Sequence, residues 1–179
     1  MKKNFLLMVG VVLLMVSGCC VCNREDWPEQ PVLDHMNTGQ KIQYLTNVKQ
    51  TLINFRTTAV DLQSHQPPPP VDEEPADCQR EGFHCEVTRY VDVYATPILN
   101  DAEALRNLET RLEVAKVNLL SAYALYETGS YGQARRMLKM YDKRYREDVS
   151  IETAMVDSRD MEFATLGEAA RNLRAKLTN

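Results

Sequence analysis

Cysteine supplies most of the reactive side chains in this sequence: Cys19, Cys20, Cys22, Cys78 and Cys85, accompanied by His35, His65 and His84. A thiol can be acylated, oxidised to a disulfide or given to a metal, and spacing separates these outcomes. Cys78 and Cys85 bracket the short stretch Gln-Arg-Glu-Gly-Phe-His just after a run of prolines. In an oxidising compartment they are the natural pair for a disulfide. Closing so short a loop would remove about 2.5 kcal/mol of unfolded-chain entropy. The competing use is a metal site enlisting His84 and His65. Zinc takes four convergent ligands at recognisable spacing, which Cys-x6-Cys with one flanking histidine is not. No metal is therefore expected. Cys20 and Cys22 are left free, paired with each other under strain, or bridged between chains. The histidines fall at a helix start, a helix end and a loop, and no nucleophile beside a base or paired carboxylates can be read. The chain is not expected to be an enzyme.

Compartment follows from the first nineteen residues. Met1-Lys2-Lys3-Asn4 is a positive start, Phe5 to Val16 is apolar, and the small pair Ser17-Gly18 runs straight into Cys19. Charge, apolar run and small residues are what export and processing read. The stretch resembles a bacterial lipoprotein signal, with Val16 where that family more often has Leu. The resemblance implies cleavage after Gly18, a diacylglycerol thioether on Cys19 and a further acyl chain on its amine, with no other cofactor. Cys20 at the second mature position implies sorting to the outer membrane of a two-membrane bacterium, facing the periplasm. The alternative is an uncleaved anchor, since Phe5 to Cys22 is near the lower limit for spanning a bilayer, about 17 to 25 residues.

Residues 1–18 are thus read as a signal, 19–33 as a tether and 34–179 as one helical domain. The tether is polar and carries two prolines, with Trp27 placed at the headgroup level or packed on the domain. Removing Lys2 and Lys3 with the signal leaves 19 basic and 25 acidic side chains, a charge of −6. No nucleic-acid footprint is present, because that needs a basic surface.

The elements that would position these residues are helices. Glycine is scarce, at seven residues, and Leu, Ala, Glu, Arg and Lys dominate long stretches. A first helix is expected from Asp34, as N-cap, to Ser64, with the seam Leu45, Val48, Leu52, Phe55, Ala59 and Leu62. A connector at 66–85 follows, with Pro67 to Pro70, the acidic Asp72-Glu73-Glu74-Pro75 and the cysteine loop. Residues 86–94 fit a strand or a helical face, and with no partner strand the helix is favoured. A second long helix from Pro97 shows Leu105, Leu112, Leu119 and Tyr126 seven apart and is expected to pack antiparallel to the first. A last helix is expected over Ile151 to Leu177, with Arg159 in its seam.

Residues 119–141, through Gly129-Ser130-Tyr131-Gly132-Gln133-Ala134, resemble the middle of a tetratricopeptide repeat. They lack that repeat's large-aromatic start and closing proline, and no second copy is visible, so one repeat-like hairpin is expected instead of an array. The expected fold is an all-α antiparallel bundle with this hairpin near its C-terminal end. Along the helix expected from Tyr131 to Arg146, Tyr131, Ala134, Leu138, Tyr141 and Tyr145 form an apolar arc, while Arg135, Arg136, Lys139, Lys143 and Arg146 share the neighbouring one. That basic arc is either a plain solvated face or a surface for anionic lipid, cell-wall carboxylates or an acidic partner. The function expected is a lipid-anchored envelope scaffold serving an assembly or secretion complex through a protein partner. Wall or lipid binding through the basic arc is the alternative.

Overall fold

A computed structural model describes residues 32–64, 76–157 and 161–178, with the side chains of 63–64 and 76–81 outside that description. The signal, most of the tether, the proline run and Arg159 lie outside the described residues. Those described form a helical bundle, with no regular strand among them.

After a 3-10 turn at Leu33–His35, α1 runs over Thr38–Ser64. Asn37, and not Asp34, caps it. The Gln40 amide N–H donates to Asn37 Oδ1 and the Asn37 N–H donates to Gln40 Oε1, both at 2.9 Å, a reciprocal pair that satisfies two helix-end donors. Leu45, Val48, Leu52 and Ala59 of the expected seam are buried.

The next helix, α2, spans Ala76–Tyr90 and starts at the first residue after Pro75, where missing N–H groups no longer interrupt the ladder. Residues 76–85 are therefore helix and not connector loop. A π-helical turn, Val91–Ala95, continues it into α3, Thr96–Leu99. The helical reading of 86–94 holds.

Beyond Pro97 the expected single helix is divided. A short α4, Ala102–Arg106, is capped by Asp101, whose side chain accepts from the Ala104 N–H at 2.7 Å. Asn107 then caps α5, Leu108–Glu127, accepting from the Glu109 N–H at 3.0 Å. Both capping residues compete with the helix through their side chains, which ends one segment and starts the next. Leu108, the first residue of α5, is exposed.

α6 covers Tyr131–Tyr145 as expected, with Ala134, Leu138, Tyr141 and Tyr145 buried, although Tyr131 is half exposed. The expected last helix is instead two. After α7, Val149–Glu152, an extended stretch makes one bridge between Met155 and Thr165, and α8 begins at Leu166 and runs to Thr178. The reason lies in Thr165-Leu-Gly-Glu168, a capping box in which Glu168 accepts from the Ala164 and Thr165 N–H groups and Thr165 Oγ1 accepts from the Glu168 N–H. Gly167 lets α8 start against the end of α7: a Cβ there would lie 2.5 Å from Glu152 Oε2.

Consecutive long segments run up and down. Phe55 meets Phe83 and Tyr90 while Tyr44 donates to the Tyr94 carbonyl, so α2 and its extension descend beside α1. Arg111 pairs with Asp148 across α5 and α6, and Arg135 reaches the Leu177 carbonyl across α6 and α8. An antiparallel α1 and α5 was expected, but they are parallel: Lys41 pairs with Asp101 and Glu103, Lys49 with Glu113 and Arg56 with Glu127. The reason is that the stretch between them forms a descending helix of its own.

α5 is the axis of the bundle. It packs against α1, α2, α3, α4, α6 and α8 and buries every residue from Val117 to Leu125. The Ala115, Ser121, Ala122 and Ala124 side chains keep this helix slim enough for neighbours on all sides. Tyr123 reaches outward to donate to the Ala169 carbonyl at 2.8 Å. Lys41, 2% exposed, lies between Asp101 and Glu103 at 3.0 and 2.6 Å. Desolvation opposes its charge, but the Glu103 and Asp101 hydrogen bonds outweigh it and raise its pKa.

Candidate functional site

The basic arc is positioned by the turn before it. Glu127 and Thr128 end α5, and Gly129 takes φ +87°, a left-handed conformation that a side chain disfavours. The Ser130 N–H donates to the Leu125 carbonyl at 2.7 Å and the Gly129 N–H to Tyr126 at 3.0 Å, the paired bonds of a Schellman end. α6 then folds back along α5, and its four buried apolar residues fix which side of the helix meets solvent.

Six cations and Asp142 give residues 131–146 a charge of +5 in a chain of −4. The structure divides those cations by task. Arg144, which lies outside the expected arc, donates to the Leu99 carbonyl and to Asn100 Oδ1, tying α6 to the end of α3. Arg135 is exposed yet donates through Nε and Nη2 to the Leu177 carbonyl, closing the end of α8. Arg136 bonds weakly to the Gly132 carbonyl at 3.5 Å. Asp142 is held by Arg174, whose pKa is raised first of all by that hydrogen bond.

Lys139, Lys143 and Arg146 are exposed, and none has a hydrogen-bond or ion-pair partner among the described residues. With Arg136 they stand at spacings of three, four and three, a stripe about 15 Å long at 1.5 Å per residue. Glu147, also exposed, is the acid next to it in sequence. The stripe presents mobile point charges to an extended anionic surface; lysine offers no planar fork for bidentate recognition of a single group.

Sequence reasoning missed the cluster at the opposite side of the turn. His84 Nδ1 donates to the Thr128 carbonyl at 2.9 Å, Ser130 Oγ lies 3.1 Å from the same nitrogen, and Thr88 Oγ1 bonds Ser130 and Gln133. This locks α2 to the hairpin turn. Ser130 is buried, so its hydroxyl serves packing and does not face a substrate. Beside it, Ala59, Leu62, Phe83, Gly129 and Tyr131 line an open cavity of about 250 Å³. Nothing in the spacing of these residues announced the cluster, since it joins positions more than forty apart.

Among the described residues, no group of three or more His, Cys, Asp or Glu side chains could hold a metal. No helix of the described residues is long and apolar enough to cross a membrane. Cys85 is held in a disulfide. Its expected partner, Cys78, is seven residues earlier on α2, and at 1.5 Å per residue their Cα atoms stand about 10.5 Å apart. A disulfide spans at most about 7 Å between Cα atoms. The expected Cys78–Cys85 pairing is corrected on that ground: it assumed a loop where the chain is helical.

No family of known proteins, no curated protein and no solved structure matches this chain.

Proposed function

We propose that this protein is a lipid-anchored component of the bacterial envelope whose helical domain is a scaffold for a protein partner, an accessory to an assembly or secretion complex. The observation that carries the reading is the apolar run ending in Ser17-Gly18-Cys19, which resembles a lipoprotein signal, joined to a bundle whose described surface is charged helix. Acylation of Cys19 places the domain on the periplasmic side of the outer membrane. The α5–α6 hairpin, repeat-like in its glycine turn and its buried Ala134, supplies a rigid edge for contact. Intact mass of the full-length protein, expressed with its signal, tests the anchor: an acylated N-terminal Cys19 is expected, and Cys19→Ser should leave an unprocessed precursor. Any other mature N-terminus sinks the reading.

A second reading is favoured by the unpaired stripe. Lys139, Lys143 and Arg146 make no ion pair among the described residues, and a partner bearing carboxylates or phosphates would supply one. Pulldown from detergent extract separates the two. Changing Arg136, Lys139, Lys143 and Arg146 to Gln should abolish wall or lipid association under the second reading while leaving protein partners in place.

A further inference from the structure

Among the described residues outside α1, 34 are exposed and 17 of those are acidic or basic. The solvent face of α1 departs from that composition. From Gly39 to Val60 ten residues are exposed and none carries a charge. The three cations of that span, Lys41, Lys49 and Arg56, are drawn inward to Asp101 and Glu103, to Glu113 and to Glu127. The face is about 31 Å long at 1.5 Å per residue. Loss of charge with retention of hydrogen-bonding groups is the composition of a surface that another protein covers, since a charge there would have to leave water. We propose that this face of α1 seats on the same face of a second copy of the chain, the two helices antiparallel about a two-fold axis at Gln50. The pairing goes beyond the scaffold role and is independent of the anchor.

The face is chemically complementary to itself. Gln43 Nε2 donates to Asn47 Oδ1 and Gln50 Nε2 to Asn54 Oδ1, each at 3.1 Å. Both amide pairs are thus held along the helix, with a glutamine carbonyl and an asparagine N–H group still able to bond outward. A charged partner would meet nothing of opposite sign, and an apolar one would leave the amides unpaired. A second copy of the same face brings both donors and acceptors.

Register agrees with a two-fold axis. With Gln50 facing its own copy, Thr46 stands opposite Asn54 about 6 Å to either side, and Gln43 stands opposite Thr57 about 10.5 Å out. All five positions are exposed. The Thr46 and Thr57 hydroxyls donate to the Ile42 and Ile53 carbonyls, so each longer amide meets a short side chain whose oxygen still accepts. A glycan is the other neutral partner rich in donors and acceptors. Sugars also stack on exposed aromatic rings, and none of the ten exposed residues of this face is aromatic.

Sedimentation equilibrium of the full-length protein in detergent, with reductant to remove interchain disulfides, tests the pairing. A reversible dimer is expected. Gln50→Glu sets two like charges against each other at the axis and should weaken the dimer at least about tenfold, with helix content unchanged. Gln50→Lys should do the same, and mixing the two variants should restore a dimer, which damage to the fold would not. Lys139→Glu, on the open face of α6, should leave the dimer as it is. A monomer at every concentration, a dimer indifferent to Gln50→Glu, or variants that stay monomeric when mixed overturns the proposal, and so does a dimer lost with Lys139→Glu alone. Retention of a monomer on isolated cell wall, abolished by Gln50→Glu, would assign the face to a glycan and overturn the second copy as its occupant.

Discussion

Two helices joined by one glycine turn use opposite solutions to the same problem. α5 is enclosed on every side, with nine consecutive residues buried from Val117 to Leu125, whereas α6 buries four residues, packs Met137 and Met140 half-buried beside them and turns its other face to water. The difference shows what amphipathic pattern can and cannot report. A stripe at 3.6-residue spacing marks a helix with one covered face. A helix at the centre of a bundle has no uncovered face, so the recurrence of Leu112, Leu119 and Tyr126 reports only part of what it buries.

The largest expected effect comes from truncating the enclosed helix. Leu120→Ala should cost about 2 to 5 kcal/mol in chemical denaturation, because the neighbours on all sides cannot collapse into the void. A cost as small as that of a surface change would mean that α5 is not the axis.

The turn between the helices comes next. Gly129→Ala forces a side chain into a left-handed conformation, which costs about 1 to 2 kcal/mol, and the same substitution at Gly132, an exposed helical position with φ in the ordinary range, should not destabilise.

Asn118 sharpens the contrast from the other direction. It is fully buried on α5, and neither its Oδ1 nor its Nδ2 finds a protein partner. Replacing it with Leu should raise stability by about 1 kcal/mol, since the unpaired amide is costly where it stands. Loss of stability would show that the amide is needed.

A smaller effect is expected from pH. Burial works against ionised Asp101, but bonds from the Ala104 N–H and Lys41 outweigh it and lower its pKa; Ser150, first among its partners, lowers that of Asp148. Their contribution is present above the ordinary carboxylate value of 3.8 and is lost as pH falls through the depressed values. Lys41, together with Tyr123 and Tyr141, which burial raises, behaves oppositely: stability should fall as pH rises past about 10. Denaturation midpoints from pH 2 to 11 should therefore form a plateau with two shoulders.

Least affected should be the open face of α6. Changing Lys139, Lys143 and Arg146 to Gln should move stability by less than about 0.5 kcal/mol. Arg111 is a different surface cation. It pairs with Asp148 at 2.6 Å and lies over the Tyr145 ring, so its loss should be felt.

Elements with one covered face were legible. The α1 seam and the limits of α6 could be read because Leu45, Val48 and Leu52, then Ala134, Leu138 and Tyr141, recur at helical spacing. Heptad counting carried the second helix through Asn107 and the last through Thr165, because leucines such as Leu105 and Leu112 kept the period while capping side chains broke the helix. Thr165 and Glu168 could have given the second break. The basic arc was visible as residues, but the division of labour within it was not, since Arg135 and Arg144 find their carbonyls some forty positions away. The cysteine pairing failed because a helix was taken for a loop.

The parallel seating of α1 on α5 bears on the order in which the chain acquires structure. Its ion pairs join residues 60, 62 and 71 positions apart, whereas the hairpin closes across a three-residue turn. Long closures are paid in entropy before their contacts form, so the hairpin should assemble early and α1 dock late. Folding-rate measurements on paired substitutions would place Leu138 in the nucleus and Leu52 outside it. A chain emerging N-terminus first during synthesis would hold the seam of Leu45, Val48 and Leu52 uncovered until residue 127 had followed, which makes α1 the segment that waits longest with its apolar face in water.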